Sequence, residues 1–200
     1  IHQKGYQIKT QSNYGYLEIE EINSFTEENM TKLMKRSSIC INLIGILYEK
    51  KKNQFNFIHS YLPSLMSKCA SSNSIDQFIH VSALGIEQAF DSKYATSKLD
   101  GEMKVKENFP EAIILKPSIV YSVDDNFTTN FMRLLSILPV MPLYYNGKTK
   151  FSPIHVSDFS DIIFKIIQKK IKAETLECIG PEVFTFKELL QKILKSINKK

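Results

Sequence analysis

Apolar residues fall into two kinds of pattern along this chain, and the switch between them sets out the elements. Ile39 to Ile44 (ICINLI), Gln77 to Val81 (QFIHV) and Ala112 to Leu115 (AIIL) are short runs without polar alternation, which predicts strands buried on both faces. The first reads as a central parallel strand, and Leu17 to Ile19 is a further, shorter strand candidate. Between them the period changes to three and four. Ser24 and Glu27 form a capping box ahead of Met30, Leu33 and Met34, which predicts a helix over about 25–37. Phe57, Ile58, Tyr61, Leu62, Leu65, Met66, Cys69 and Ala70 predict a helix over 55–71, bent at Pro63. A third helix is expected from Lys93 to Lys106.

Strands of this kind alternating with helices imply right-handed crossovers and a parallel sheet covered on both faces, an α/β doubly wound fold. Beyond Pro117 the pattern turns mostly helical. Phe159, Ile162, Ile163, Ile166 and Ile167 share one helix face, and Thr185 with Glu188 caps another helix carrying Phe186, Leu189, Leu190, Ile193, Leu194 and Ile197. This predicts two parts, a sheet over 1–120 and a small α-rich lobe over 121–200 partly interleaved with it.

Composition narrows the class. The chain has 200 residues, 43% hydrophobic and 24% charged, which is globular, and no apolar stretch approaches the roughly 20 residues that span a bilayer. Cys40, Cys69 and Cys178 are odd in number and form no metal-binding pattern, so a reducing compartment is expected and a metal site is not. Residues 1–164 are neutral, whereas 165–200 carry nine Lys against four Glu. That basic stretch suits a solvated helix face or docking on an anionic membrane or protein surface. With only two arginines, Arg36 and Arg133, nucleic acid is not the expected partner.

In doubly wound sheets ligands bind at the carboxyl ends of the strands. Those ends here are Ile44-Gly45, Ser82-Ala83-Leu84-Gly85 and Lys116-Pro117-Ser118. Between the second and third lies Tyr94-Ala95-Thr96-Ser97-Lys98, which places a phenol and an ammonium on one helix face. An ammonium beside a phenol lowers the phenol's pKa toward the range of acid/base work. Ser82 is the matching candidate for a hydrogen bond to a carbonyl or hydroxyl. His59, His80 and His155 are scattered and read as packing residues, Asp124-Asp125 as a turn, and the Phe127, Phe131, Leu134, Leu135 stripe as core.

The succession NLIG, FIHVSALG, YATSK and LKPSIVY resembles the short-chain dehydrogenase/reductase superfamily, in its extended and atypical NAD-dependent epimerase/dehydratase branch, over about Asn42 to Gly180. More narrowly, INLIGILYE, SKYATSKLDGE, FPEAIILKPSIVY and GKTKFSPIHVSD look like the nucleotide-binding accessory-subunit group of respiratory complex I, and His59 matches a position of the family. The resemblance implies a Rossmann-like fold that binds NAD or NADP. Asn42, Leu43 and Gly45 are then expected on the adenosine-ribose side, with Lys98 on the nicotinamide ribose. Pro117, Ser118 and Ile119 are expected beside the nicotinamide, and Tyr94, Lys98 and Ser82 form the catalytic set. It also implies complex I subunits and the membrane surface as partners, and a soluble or peripheral protein on the cytoplasmic face of a bacterial inner membrane or the matrix side of the mitochondrial one. Two departures qualify this. Ala83 stands where active members carry a hydroxyl, and no GxxGxxG turn for the pyrophosphate occurs. That absence leads us to expect a fragment lacking about two N-terminal strand-helix units. Three readings stay open: a nucleotide-binding accessory subunit, an active NAD(P)-dependent enzyme, and a relic that binds nothing.

Overall fold

In the computed structural model, which describes residues 16–123, 125–138 and 141–197, four parallel strands form the main sheet. They are β1 (Ile39–Asn42), β2 (Gln77–Val81), β3 (Ile113–Pro117) and β7 (Thr175–Cys178), in the spatial order β1-β2-β3-β7. Alternate side chains of the central strands serve opposite faces. Phe78 and Ile114 meet Met30 and Met34 of α1 (Glu27–Met34), Leu65 and Cys69 of α2 (Leu62–Ser72), and Val105 of α3 (Lys93–Asn108). Ile79, Ile113 and Leu115 face the other way, onto Phe159 and Ile166 of α5 (Val156–Gln168). The parallel, two-sided sheet follows directly from those unbroken apolar runs.

Two short strand pairs extend from it. The strands β4 (Val120–Tyr121) and β6 (Ile154–His155) pair in parallel, and β5 (Lys150–Phe151) pairs antiparallel with β8 (Phe184–Thr185). A separate cluster of Leu135, Leu190 and Ile193 joins α4 (Asn126–Ile137) to α6 (Phe186–Ser196). Thr185 and Glu188 form the expected capping box on α6. The C-terminal residues also build the main sheet's layers: α5 covers one sheet face and β7 pairs with β3.

Four expectations need correction. First, β1 lies at an edge of the described sheet, and Ile41 is 37% exposed. Its apolar run reads as central because Asn42, the one polar residue, is the most buried of the strand. Second, residues 17–19 form no strand. Glu18 and Glu20 flank a single aliphatic, too little apolar surface to hold an extended segment on the sheet. Third, the first helix is capped by Thr26, whose hydroxyl accepts from the Asn29 N–H. Ser24 instead accepts from the Asn29 side chain. Fourth, Pro63 does not bend an α-helix. A π-helical segment, Asn56–Tyr61, precedes α2 and takes Pro63 into its first turn. Pro63 has no N–H to return to the His59 carbonyl. Gly101 of α3 packs against that carbonyl so closely that an added Cβ would lie 1.8 Å from the oxygen. Asp124 lies outside the described residues. Its neighbour Asp125 caps α4 by accepting from the Thr128 N–H at 2.7 Å.

Candidate active site

The carboxyl ends of β2 and β3, the helix α3 and the segment after β3 enclose a cavity of about 910 Å3. Ser82, Tyr94, Pro117, Ser118 and Ile119 all line it, so five of the expected site residues come together there. Ser92 starts α3 by accepting from the Ala95 N–H, and this places Tyr94 in the first turn with Lys98 one turn on. The Lys98 Nζ stands 5.9 Å from the Tyr94 ring centroid and donates to the Val81 carbonyl at 3.3 Å. Gly45 lies against it, with room for a Cβ 3.6 Å from Nζ. The loop after β1 therefore reaches Lys98.

Asn42 does not point outward as a ribose ligand would require. It is 1% exposed, and its amide is spent inside. The Ile44 N–H donates to Asn42 Oδ1 at 3.0 Å, which turns the amide nitrogen toward His80 Nδ1, also 3.0 Å away. His80 Nδ1 is thus an acceptor and its proton sits on Nε2, where no partner is found. Leu43, beside it, is 65% exposed at the mouth of the strand.

His59, expected as a packing residue, has a larger part in the structure. Its Nε2 accepts from the Ile46 N–H at 3.1 Å, so Nδ1 carries the proton and donates to Ser97 Oγ at 3.0 Å. Ser97 in turn donates to the Tyr94 carbonyl at 2.8 Å. The ring also meets Tyr94 edge-on at 5.2 Å and stacks on Phe55. His59 thereby ties the loop after β1 to the turn that carries the phenol. Both imidazoles are neutral. Burial, and then the Lys98 charge, bring His59 down to about 4 and His80 to about 3.

The structure brings Lys98 near the Tyr94 ring as expected, but burial sets the direction of both groups' shifts. Burial raises the Tyr94 phenol, while burial pulls the Lys98 ammonium down to about 8 against the opposing field of Glu102. Glu102, one turn further along α3, binds Lys116 at 2.9 Å through Oε2 and leaves Oε1 without a partner. Lys116 also pairs with Glu87 on the cavity wall. Burial lowers the Lys116 ammonium, but the two carboxylates outweigh it and hold it above its ordinary value. The signal that could have revealed this triad is a lysine inside a strand otherwise wholly apolar.

A nicotinamide dinucleotide can be tested against these residues. Ser82 Oγ is buried and unpartnered at the cavity, the kind of orphan a ligand satisfies. Lys98 and Gly45 sit beside the ends of β1 and β2, and Pro117, Ser118 and Ile119 line the cavity. These fit the nicotinamide-ribose half of such a molecule. His155 caps α5 and packs on Tyr121, and among the described residues no His, Cys, Asp and Glu group could hold a metal.

Residues 88–200, more than half of the chain, match the RmlD substrate binding domain family. A mouse protein, NADH dehydrogenase (ubiquinone) 1 alpha subcomplex subunit 9, mitochondrial, is 29% identical over 153 residues, covering 76% of this chain and 41% of its own length. The NADH-ubiquinone oxidoreductase 40 kDa subunit of Neurospora crassa is 24% identical over 195 residues, 96% of this chain and 51% of that one. The chain thus spans about half the length of such relatives, or less. Among solved structures, UDP-glucuronic acid 4-epimerase from Bacillus cereus, in complex with UDP-glucuronic acid and NAD, superposes with a TM-score of 0.77 at 18% identity, over 99% of this chain and 71% of that one. That likeness confirms the Rossmann-like parallel sheet, and the sequence match makes this chain a member of the RmlD substrate binding domain family.

Proposed function

We propose that the chain holds the nicotinamide-ribose end of NAD or NADP at its strand ends and serves as a non-catalytic accessory or assembly subunit of NADH:ubiquinone oxidoreductase. The observation that carries this reading is the asymmetry of the Tyr94–Lys98 pair. Lys98 is 6% exposed and held between the Val81 carbonyl and Gly45, built to bind. At Tyr94 burial raises the phenol, and the neighbouring His59 is a neutral ring committed to Ile46 and Ser97, which supports a binding role over an acid/base one. When bound, the dinucleotide supplies a hydride donor or acceptor. The chain's own residues orient it: Lys98 toward ribose hydroxyls, Ser82 as a hydrogen-bonding hydroxyl, and Pro117, Ser118 and Ile119 as the wall. The mouse and Neurospora relatives, named as subunits of that complex, support the partner, and the basic 165–200 stretch supports docking on a subunit or membrane surface. No helix among the described residues is long and apolar enough to cross a membrane.

The test is Lys98→Ala in the full-length gene product in its own cells. Retention of dinucleotide should fall at least about tenfold, as expected for loss of a charged hydrogen bond of about 1.5–3 kcal/mol, and the yield of assembled complex should fall with it. A second reading, an active oxidoreductase, is favoured by the unpartnered Ser82 hydroxyl on the same cavity as Tyr94. Normal complex levels together with a turnover that Tyr94→Phe abolishes would put that reading first.

A further inference from the structure

The cavity at Tyr94 has a neighbour. A second cavity of about 650 Å3 opens between α4 and α6, and Ile119 and Phe127 line both. Its walls are largely apolar, formed by Met132, Phe184 and Leu189 among others. Among the described residues Lys192 is its one cation and Glu182 its one acid. At the mouth stands Val123, an aliphatic side chain that is 93% exposed.

These walls suit one class of ligand and oppose another. A nucleoside diphosphate brings at least two negative charges, which proteins grip with several cations or with helix N-termini. Here a single ammonium is offset by a carboxylate, and neither Arg36 nor Arg133 lines the space. A sugar needs convergent free hydrogen-bonding partners, whereas Phe127, Met132, Phe184 and Leu189 offer methylenes and rings, and the Thr128 and Ser196 hydroxyls of the lining are committed to Asp125 and the Ile193 carbonyl. Lys192 is held at a fixed place by its ammonium lying 4.3 Å over the Phe184 ring. A fixed single cation at one side of an apolar trough matches a single anionic head with an apolar tail.

We infer that the cavity between α4 and α6 takes the chain of a monoanionic amphiphile of the fatty-acid class, its carboxylate at Lys192 and its tail running toward Ile119 and Phe127. Of the residues assigned to the dinucleotide the site shares Ile119 alone, and its ligand is held by other residues, so this inference stands without the function proposed above. The tail would end where the two cavities meet, which brings a second molecule to the border of the Tyr94 site.

Calorimetric titration of the full-length protein with octanoate, decanoate and dodecanoate tests it. Affinity should rise about fourfold for each added methylene, as burial of one CH2 predicts. Val123→Glu should weaken dodecanoate at least tenfold without changing the melting temperature, because that side chain faces solvent in the free protein. Leu189→Glu should do the same from the opposite wall, and Lys192→Met should erase the preference for dodecanoate over dodecanol. An affinity independent of chain length, or one untouched by both glutamate variants, would overturn the inference. So would UDP binding that Val123→Glu abolishes while dodecanoate fails to bind.

Discussion

The two cavities that meet at Ile119 and Phe127 are built by opposite chemistry. Behind the Tyr94 cavity, His59, His80, Lys98, Glu102 and Lys116 are all 7% exposed or less. Behind the second, the buried side chains are Leu135, Leu190 and Ile193. A buried polar group must be matched donor to acceptor, so each one fixes the next: Ile44 orients Asn42, Asn42 sets the His80 tautomer, Ile46 sets that of His59, and His59 reaches Ser97. An apolar wall asks only for volume and tolerates exchange. The difference teaches that the first region is specified atom by atom, as a site that orients a ligand requires, and the second by shape with one charge, Lys192, at its side.

The sharpest way to break this contrast is to remove a buried charge. Lys116 and Glu102 are equally hidden, with side chains 9% and 8% exposed. Lys116→Met leaves the buried Glu102 carboxylate without its ion-pair partner and should lower the unfolding free energy by about 3–5 kcal/mol in urea titrations. Glu87 binds the same ammonium, but its side chain is half exposed. Glu87→Gln should therefore cost no more than about 1 kcal/mol. Equal losses in the two variants would show that burial does not set the strength of this triad.

The neutral histidines predict an acid limb. Both have folded pKa values below the ordinary 6.5, at about 4 for His59 and about 3 for His80. Above pH 6.5 neither the folded nor the unfolded state holds the extra proton, and stability is complete. As pH falls through 6.5 the unfolded chain takes protons that the folded chain refuses, and stability is lost until the folded pKa is reached. Between pH 7 and pH 5 each histidine should remove roughly 2 kcal/mol. Comparing urea midpoints at the two pH values for the natural protein, His59→Gln and His80→Asn checks this. A variant whose pH dependence matches the natural protein's would show that its ring is not held neutral by burial.

The same contrast explains how far the sequence could be read. QFIHV and AIIL give β2 and β3 because strands covered on both faces need continuous apolar runs. The phenol–ammonium pair is legible because helical spacing alone brings Tyr94 and Lys98 together. The strand β7 is not legible. Its residues TLEC carry Glu177 and bury only Cys178 fully, because it lies at the sheet's other edge in the described residues. His59 was legible only as a family position and His80 not at all, since their contacts depend on partners 13 and 38 positions away. The direction of the Tyr94 shift depends on burial, which spacing does not encode. Of the Phe127, Phe131, Leu134, Leu135 stripe, Leu135 is core as expected, but Phe127 lines both cavities and Leu134 is 40% exposed.

The smallest effect distinguishes the two regions by its sign. Ser82 Oγ is buried at the Tyr94 cavity without a hydrogen-bond partner, so the folded chain gives up its hydration and gets nothing back. Ser196, at the edge of the apolar cavity, donates to the Ile193 carbonyl at 2.7 Å and is satisfied. Ser82→Ala should therefore raise the unfolding free energy by about 1 kcal/mol, whereas Ser196→Ala should lower it by about 0.5 kcal/mol. A stabilising loss at a cavity wall marks a hydroxyl kept for a ligand and not for the fold. Dinucleotide retention should then move opposite to stability in Ser82→Ala, weakening as the free chain becomes harder to unfold. If Ser82→Ala instead destabilises the chain, the hydroxyl has a partner in the folded state, and Ser82 belongs to the structural network with Ser97.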